Sequence, residues 1–549
     1  MSFNIYSDRT TFIITNDIKN IDLPVIQDNK FHVFGYCFLE DDILKNTEIS
    51  EDEYKYIADN QSNISGIFSA ISKIDGKVEI TLDPLVQYNL FYYIKDQVIT
   101  ISNNLSIIAQ LYNLTESEER NLFDNIAYQS PLRGLTVLKN VFAVQYDDLI
   151  NNADVELYKV PLPLRCQNFT FKVPDNNIYS ELSYNDLLNA YICRLNKRAK
   201  ILAEKFEEIH IQLTGGADSR LALSSFLNYK NAYCYVYGDG NSQNRLYYEN
   251  ICDSLGLNKC EYIAFVGQNL NNSSLIFRGL YDSNFKKFNN LNTYMNSDEF
   301  ILDNKCKITG YYGANVSGGV GFPPEDTTKN SRTGFIPAEK FTYHDYVGLM
   351  HSKNDGLRPA ALKDIFYLNN RGPSHYAAHS IADNLKCNSF DILYDPINLE
   401  LVKKCDYKNS DIDRNAISID LIYLNNPLLA LFPYDERKIP MYREFNNIPL
   451  LNCFNGLRFA SLDIPSIKAT RPAVDIESFD ILNKGGSHAT ITSMLNYDEL
   501  DEFFVKHPFL QDLKQDNTIT STIVLYYILS GKLLNHLVDE ANSERQLNS

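Results

Sequence analysis

The most constraining stretch of the chain is HIQLTGGADSRLAL, His210 to Leu223: a short apolar segment, two glycines, an acid and a serine, then apolar residues at helical spacing. Strand, tight turn and helix open a βαβ unit, and the next residues continue it. AYCYVYG reads as a strand, NRLYYENICDSLG as a helix ending at Gly256, and CEYIAF as another strand. Such alternation puts parallel strands in one sheet with helices on its faces, so an α/β fold is expected here.

The flanks read differently. Residues 1 to about 155 carry TTFIITN, KFHVFGYCFL, GIFSAISKIDGKVEITLD, NLFYYIKDQVITISN and NVFAVQYDDLI, rich in aromatic and β-branched residues, with turn signals such as Asp75-Gly76 between them. A strand-rich domain with a few helices is expected. VPLPLRCQNFTFKVPDNN, residues 160 to 177, has three prolines and little periodicity, which suggests a connector. A helix should follow, capped by Ser183 or Asn185, with Leu187, Leu188, Tyr191, Ile192, Leu195, Ala199 and Leu202 on one face. From about residue 340 the patterns are mostly helical.

The chain has 549 residues, which allows roughly two to four domains. Its formal charge of −18, from 51 basic and 69 acidic residues, argues against broad binding to nucleic acid or anionic lipid. Ten cysteines without CxxC spacing, and no HExxH, indicate neither a zinc ribbon nor a thioredoxin-type site; reduced core thiols are expected. The first twenty residues lack a basic start and a long apolar run, so no signal peptide is expected. IVLYYIL, Ile523 to Leu529, is far short of the ~20 residues that span a bilayer. The expected compartment is the cytoplasm, with no membrane or nucleic-acid partner.

In isolation Leu213 to Ser219 admits two readings. One is a glycine turn with Asp218 or Ser219 as helix cap. The other is an anion site. The segment leaves a parallel strand at its carboxyl end, where ligands bind in open α/β sheets. Glycines allow close approach, and a helix N-terminus carries about half a positive charge. Thr214 and Ser219 add hydroxyls, and Asp218 makes sense beside phosphate if it holds Mg²⁺. No lysine follows as in a Walker-type P-loop, and the spacing is not GxGxxG.

The stretch resembles the SGGxDS loop of the PP-loop ATP pyrophosphatases, which split ATP between the α and β phosphates. Within that superfamily the layout resembles the asparagine synthetase class, with an N-terminal glutaminase-type domain before the PP-loop domain. GIFSAISKIDGKVEITLDPLVQYNLFYYIKDQVITISNNLSIIA looks like the strand run of that N-domain, and ITGYYGANVSGGV, Ile308 to Val320, looks closest to the second nucleotide-facing motif of the β-lactam synthetase branch. YLNNRGPSHYAAHS, ERKIPMYREF and IKATRPAVDI resemble that branch more weakly.

The resemblance implies an Ntn-type αββα domain over residues 1–160, a connector at 161–180 and a PP-loop α/β domain with a parallel sheet and extra helices over 181–549. It implies ATP and Mg²⁺ as cofactors. Thr214, Gly215, Gly216, Asp218 and Ser219 would face pyrophosphate, and Leu213, Val236, Thr309 and Gly310 would line the adenosine pocket. Asp218 and Asn315 would face the metal, while Tyr311 (with Tyr312 as neighbour) and Lys438 would act on acyl transfer. Arg471-Pro472 matches a C-terminal RP pair, structural or phosphate-facing.

Several positions depart from the pattern. Ser2 stands where the glutaminases carry a nucleophilic cysteine, and RGPD and NGEIYN are absent, so a non-catalytic N-domain is expected and glutamine is not the nitrogen source. Asn315 replaces an acid, with Glu325 or Asp326 as substitutes. Asn370 falls near the glutamate that partners the branch's tyrosine, and a tyrosine of pKa about 10 is a poor base alone. The expected function is AMP-forming amide synthesis from a small-molecule or peptide carboxylate, with the amine from a second substrate or the same molecule. A silent nucleotide- or partner-binding homologue is the alternative. Other PP-loop chemistry, such as tRNA thiolation, and an N-terminal serine hydrolase stand behind both.

Overall fold

A computed structural model describes residues 3–146, 162–238, 243–264, 280–285, 303–312, 366–404, 416–432 and 497–547, apart from short gaps within these ranges. It is a mixed α/β protein with three main sheets, one of them all-parallel.

The first sheet is antiparallel and ordered β1(Asn4–Ser7), β2(Phe12–Thr15), β8(Val98–Ser102), β7(Phe91–Lys95), β9(Val141–Ala143). The second is ordered β10(Arg165–Cys166), β11(Phe169–Lys172), β6(Lys77–Leu82), β5(Ser65–Ile74), β3(Lys30–Phe38), β4(Ile43–Ile49). Asp75 and Gly76 both take positive φ, 50° and 73°, and join β5 to β6 in the two-residue turn that suits a twisted hairpin. The two sheets meet through rings such as Phe12 and Phe34, 4.6 Å apart, and Phe3 and Phe169, 5.3 Å apart. The helix Glu51–Asp59, with a Ser50–Glu53 capping box, covers Phe31, Val33, Cys37 and Phe68 on the second sheet. The helix Leu105–Tyr112 packs on β7 and β8.

The proline-rich stretch expected to be a connector contributes two strands of this sheet. β11 runs parallel to β6, pairing Phe169 with Val78 and Phe171 with Ile80, and both phenylalanines are buried. Their period-two alternation outweighs the surrounding prolines, none of which lies inside the strand.

The third sheet has the order β15(Asn258–Lys259), β13(Ala232–Tyr235), β12(Glu208–Gln212), β17(Lys305–Thr309), β18(Ser389–Asp391), every pair parallel. The predicted strand AYCYVYG is divided, β14(Tyr237–Gly238) pairing with β16(Ile263–Ala264) outside the main sheet. The sheet's edge strand begins two residues before the predicted CEYIAF segment, because Cys260 N–H already closes on Cys234 O. The long helix Tyr184–Lys205 starts at Ser183, whose side chain forms a capping box with Asp186. Its predicted face is buried except for half-buried Ile192, and Arg198 joins it.

The sheets are tied together by polar groups removed from water. Asp395 is fully buried, accepts from Arg194 at 2.8 Å and Ser65 at 3.0 Å, and pairs with Arg198. IVLYYIL lies inside the helix Ile519–Leu547. Among the described residues no helix is long and apolar enough to cross a membrane. None of the eight described cysteines is in a disulfide; five are buried, as expected of core thiols, whereas Cys193 is exposed.

Candidate functional site

β12 is followed by β13 on one side and β17 lies on the other, so the chain reverses direction across the sheet at the carboxyl end of β12. In open parallel sheets that crevice is where ligands are held. The glycine loop occupies it. Leu213 is buried and its N–H donates to Tyr235 O at 2.9 Å, which holds the loop's first residue to the sheet.

From there the loop folds on its own hydroxyls. Thr214 N–H donates to Ser219 Oγ at 3.1 Å, the two hydroxyls lie 3.0 Å apart, and Gly216 N–H donates to Thr214 Oγ1 at 3.2 Å. Gly215 N–H donates to Asn244 Oδ1 at 3.3 Å. The helix Ala217–Ser224 begins at Gly216, whose φ of −77° and ψ of 161° are extended, and no side chain caps that end. The expected Asp218 or Ser219 cap is therefore not formed; Ser219 turns back to the loop and Asp218 sits half-buried in the first turn. Gly216 needs no left-handed backbone, so what the glycines provide is room for close approach rather than a special φ.

β17 supplies the facing wall. Thr309 is buried at its end. A Cβ on Gly310 would stand 3.1 Å from Asp218 O and 3.3 Å from its carbonyl carbon, so any larger residue would push the two segments apart by a few tenths of an ångström. Val236, buried just past β13, lies on the other side of the loop's strand. Tyr312 is fully buried, its N–H donating to Asp391 Oδ2 and its hydroxyl to Gln87 Oε1, both at 2.9 Å. The neighbour Tyr311 is half-buried and stacks on Tyr376 at 5.8 Å and on His379 at 5.2 Å. Of the two tyrosines, Tyr312 is thus structural and Tyr311 turns toward polar rings.

Sequence reasoning passed over several of these residues. Arg220 is fully buried behind the loop, donating to Gly215 O at 3.0 Å and Phe432 O at 2.8 Å, and lies over the Tyr247 ring. Asp391 ends β18; its two carboxylate oxygens accept from Tyr312 and Leu393 N–H groups, so it shapes the turn after β17. Burial raises its pKa to about 7, and the charge of Asp218 adds to the rise. Burial, then the same Asp218 charge, lifts Tyr376 to about 12, keeping it a hydroxyl donor. Asp218, Asp391 and Tyr376 therefore share one electrostatic environment. Helical spacing alone would have found Tyr376 and His379 on one face.

Asn370 is buried, accepts Arg133 N–H at 3.1 Å and donates to Phe366 O at 2.9 Å. Those bonds tie it to the strand-rich part of the chain. Ser2, Asn315, Glu325, Asp326, Lys438, Arg471 and Pro472 lie outside the described residues. Among the described residues no group of three or more His, Cys, Asp or Glu side chains is placed to hold a metal ion. No protein-family model matches the chain, and a search of curated proteins finds no match.

Proposed function

We propose that this chain is an ATP-dependent, AMP-forming carbon–nitrogen ligase of the asparagine synthetase type, nearest to the β-lactam synthetase branch, with a glutaminase-like N-terminal domain that does not hydrolyse glutamine. The observation that carries the proposal is the meeting of two glycine motifs at the switch point of the parallel sheet, where Gly310 packs on the Asp218 backbone.

The described loop residues support the nucleotide part of this reading. The uncapped helix end at Gly216 and the hydroxyls of Thr214 and Ser219 suit the pyrophosphate portion of the nucleotide. Leu213, Val236, Thr309 and Gly310 would border the base and ribose. Asp218 in the first helical turn would hold Mg²⁺, with Asn315 as the second ligand. When bound, the ion supplies charge neutralisation on the departing pyrophosphate. The substrate carboxylate attacks the α-phosphorus and pyrophosphate leaves. An amine then attacks the acyl carbon and AMP leaves. The uncapped first turn of the helix Ala217–Ser224 would stabilise the charge that develops in the first step. Tyr311, with Tyr376 and His379 around its ring, would face the amine, and Lys438 would stabilise acyl transfer.

Carboxylate-dependent ATP–pyrophosphate exchange tests the proposal, read across a panel of amino acids, peptides and sugar acids. Exchange is expected with at least one carboxylate and should disappear in Asp218→Ala; exchange that survives this substitution removes the loop from the mechanism. A second reading, a nucleotide-binding homologue without turnover, is favoured by Asn370, whose amide is committed to Arg133 and Phe366 rather than supplying a carboxylate. Calorimetric binding of Mg–ATP with no AMP formed on any carboxylate would support it, and recovery of turnover in Asn315→Asp would assign the silence to the metal site.

A further inference from the structure

Across one face of the same parallel sheet, three side chains form a line. Glu208 and His210 both project from β12, and Cys260 follows β15. His210 Nδ1 lies 3.1 Å from Cys260 Sγ, and His210 Nε2 lies 2.9 Å from Glu208 Oε2. Lys305, from the neighbouring β17, holds Glu208 at 2.7 Å. The Tyr233 ring stacks on the imidazole at 5.8 Å. Nucleophile, base and orienting acid are thus in hydrogen-bond order.

The tautomer follows from the partners. Glu208 can only accept, and its bond with Lys305, followed by the one from His210, keeps its pKa below the ordinary glutamate value. The Nε2 proton therefore points to Glu208, and the Nδ1 lone pair faces the thiol. Burial lowers the pKa of His210, which favours the neutral imidazole, the form that accepts a proton. Cys260 is half-buried, unlike Cys234, which is buried and held as a thiol by its hydrogen bond with Cys252 and by burial. Thr214 lies four residues beyond His210, roughly 13 Å along the strand, so the imidazole stands apart from the hydroxyls of the glycine loop.

We propose that Cys260 is a base-activated thiol that undergoes exchange with small soluble disulfides. The Cys260 proton passes to His210 Nδ1 as the sulfur attacks one sulfur of the disulfide. A new S–S bond forms, the old one breaks, and the departing thiolate takes the proton from the imidazolium. The product is a mixed disulfide on Cys260 and one equivalent of free thiol, with no change in total oxidation state.

The test uses the full-length protein with 5,5′-dithiobis(2-nitrobenzoate) at pH 7.5, following released thiolate and assigning sites by peptide mass spectrometry. Cys193 is the internal reference, since it is exposed on a helix. Cys260 is expected to react about tenfold faster than Cys193 despite its lower exposure. His210→Phe keeps a ring against Tyr233 and should remove that advantage without altering the Cys193 rate. Glu208→Gln, which keeps the side-chain shape, should slow Cys260 by a smaller factor. Far-ultraviolet circular dichroism and the unchanged Cys193 rate show that each variant is folded. The proposal is overturned if Cys193 reacts first in the parent, or if His210→Phe leaves the Cys260 rate within about twofold.

Discussion

Gly310→Ala adds one methyl group at the point where the two glycine motifs touch. The new Cβ would lie 3.1 Å from Asp218 O, 3.3 Å from Asp218 C and 3.4 Å from Leu393 Cδ1. Carbon-to-oxygen contacts in proteins sit at about 3.3–3.6 Å, so the Asp218 carbonyl must retreat by roughly 0.2–0.5 Å. Leu393 can turn a rotamer; the carbonyl cannot, because it belongs to the first turn of the helix Ala217–Ser224. Gly310 is not among the residues of positive φ, so alanine introduces no backbone strain and the contact alone sets the cost. Overpacking by one methyl costs about 1–3 kcal/mol. A displacement this small belongs at the lower end, about 1 kcal/mol. Because the displaced group carries Asp218, the cost should fall on Mg–ATP affinity, a loss of about five- to tenfold.

Isothermal titration of Mg–ATP into parent and variant reads this directly, and the double variant Gly310→Ala/Leu393→Ala separates the causes. Truncating Leu393 relieves the side-chain contact and leaves the Asp218 contact in place, so affinity should stay low. Affinity restored by the double variant, or equal to the parent in the single one, would refute the claim that the approach of Gly310 to Asp218 sets the loop.

Other consequences follow from buried charge. Lys307 and Asp383 pair at 2.7 Å with both side chains fully buried, so Lys307→Met strands a carboxylate and should cost about 3–5 kcal/mol in urea unfolding, while Lys307→Met/Asp383→Leu recovers most of it. Asp391, raised to about 7 by burial, keeps a proton in the native state that the unfolded chain has lost above about pH 4. Its contribution to stability is therefore present in acid and is lost as pH rises toward 7; urea titrations at pH 5 and 8 should show that slope, and Asp391→Asn should flatten it. Asp395 acts in the opposite sense: burial alone would raise it, yet Arg194 and Arg198 hold it below its ordinary 3.8, so its contribution is present near neutrality and lost on acidification below that value. Replacing either arginine by methionine should reduce the acid-side loss of stability in the same assay. Arg220→Met removes the donor to the Gly215 and Phe432 carbonyls and should weaken Mg–ATP binding severalfold without preventing folding, as measured by titration and circular dichroism.

The strand, glycine loop and helix at His210–Leu223 were legible because everything that forms them lies within a few residues: β-type apolar residues, two glycines and helical spacing. The long helix from Tyr184 was legible for the same reason, down to its Ser183 cap. What escaped were residues whose surroundings come from far along the chain. Arg220 reads as an ordinary helical base, yet it turns inward to a carbonyl 212 positions away. Asp391 reads as a polar residue near a strand end, yet its partner Tyr312 is 79 positions away, in the turn after another strand. The two strands hidden in the proline-rich stretch needed β6 beside them before the alternation of Phe169 and Phe171 acquired an inside and an outside.

The sidedness of the parallel sheet explains why one class of residue was found and the other was not. Side chains at the carboxyl edge of β12 and β17 sit on loops, where a glycine or a hydroxyl has few local uses and its presence is therefore informative. Polar side chains within the strands, such as His210 and Lys307, are locally indistinguishable from residues facing water. Only the neighbouring strands decide their role: β17 sets Lys305 beside Glu208, and the chain leaving β15 brings Cys260 to His210. A function built on loops can be read from a motif, whereas one built across strands becomes visible only when the register is known, as it is here for His210 opposite Tyr233 and Lys307.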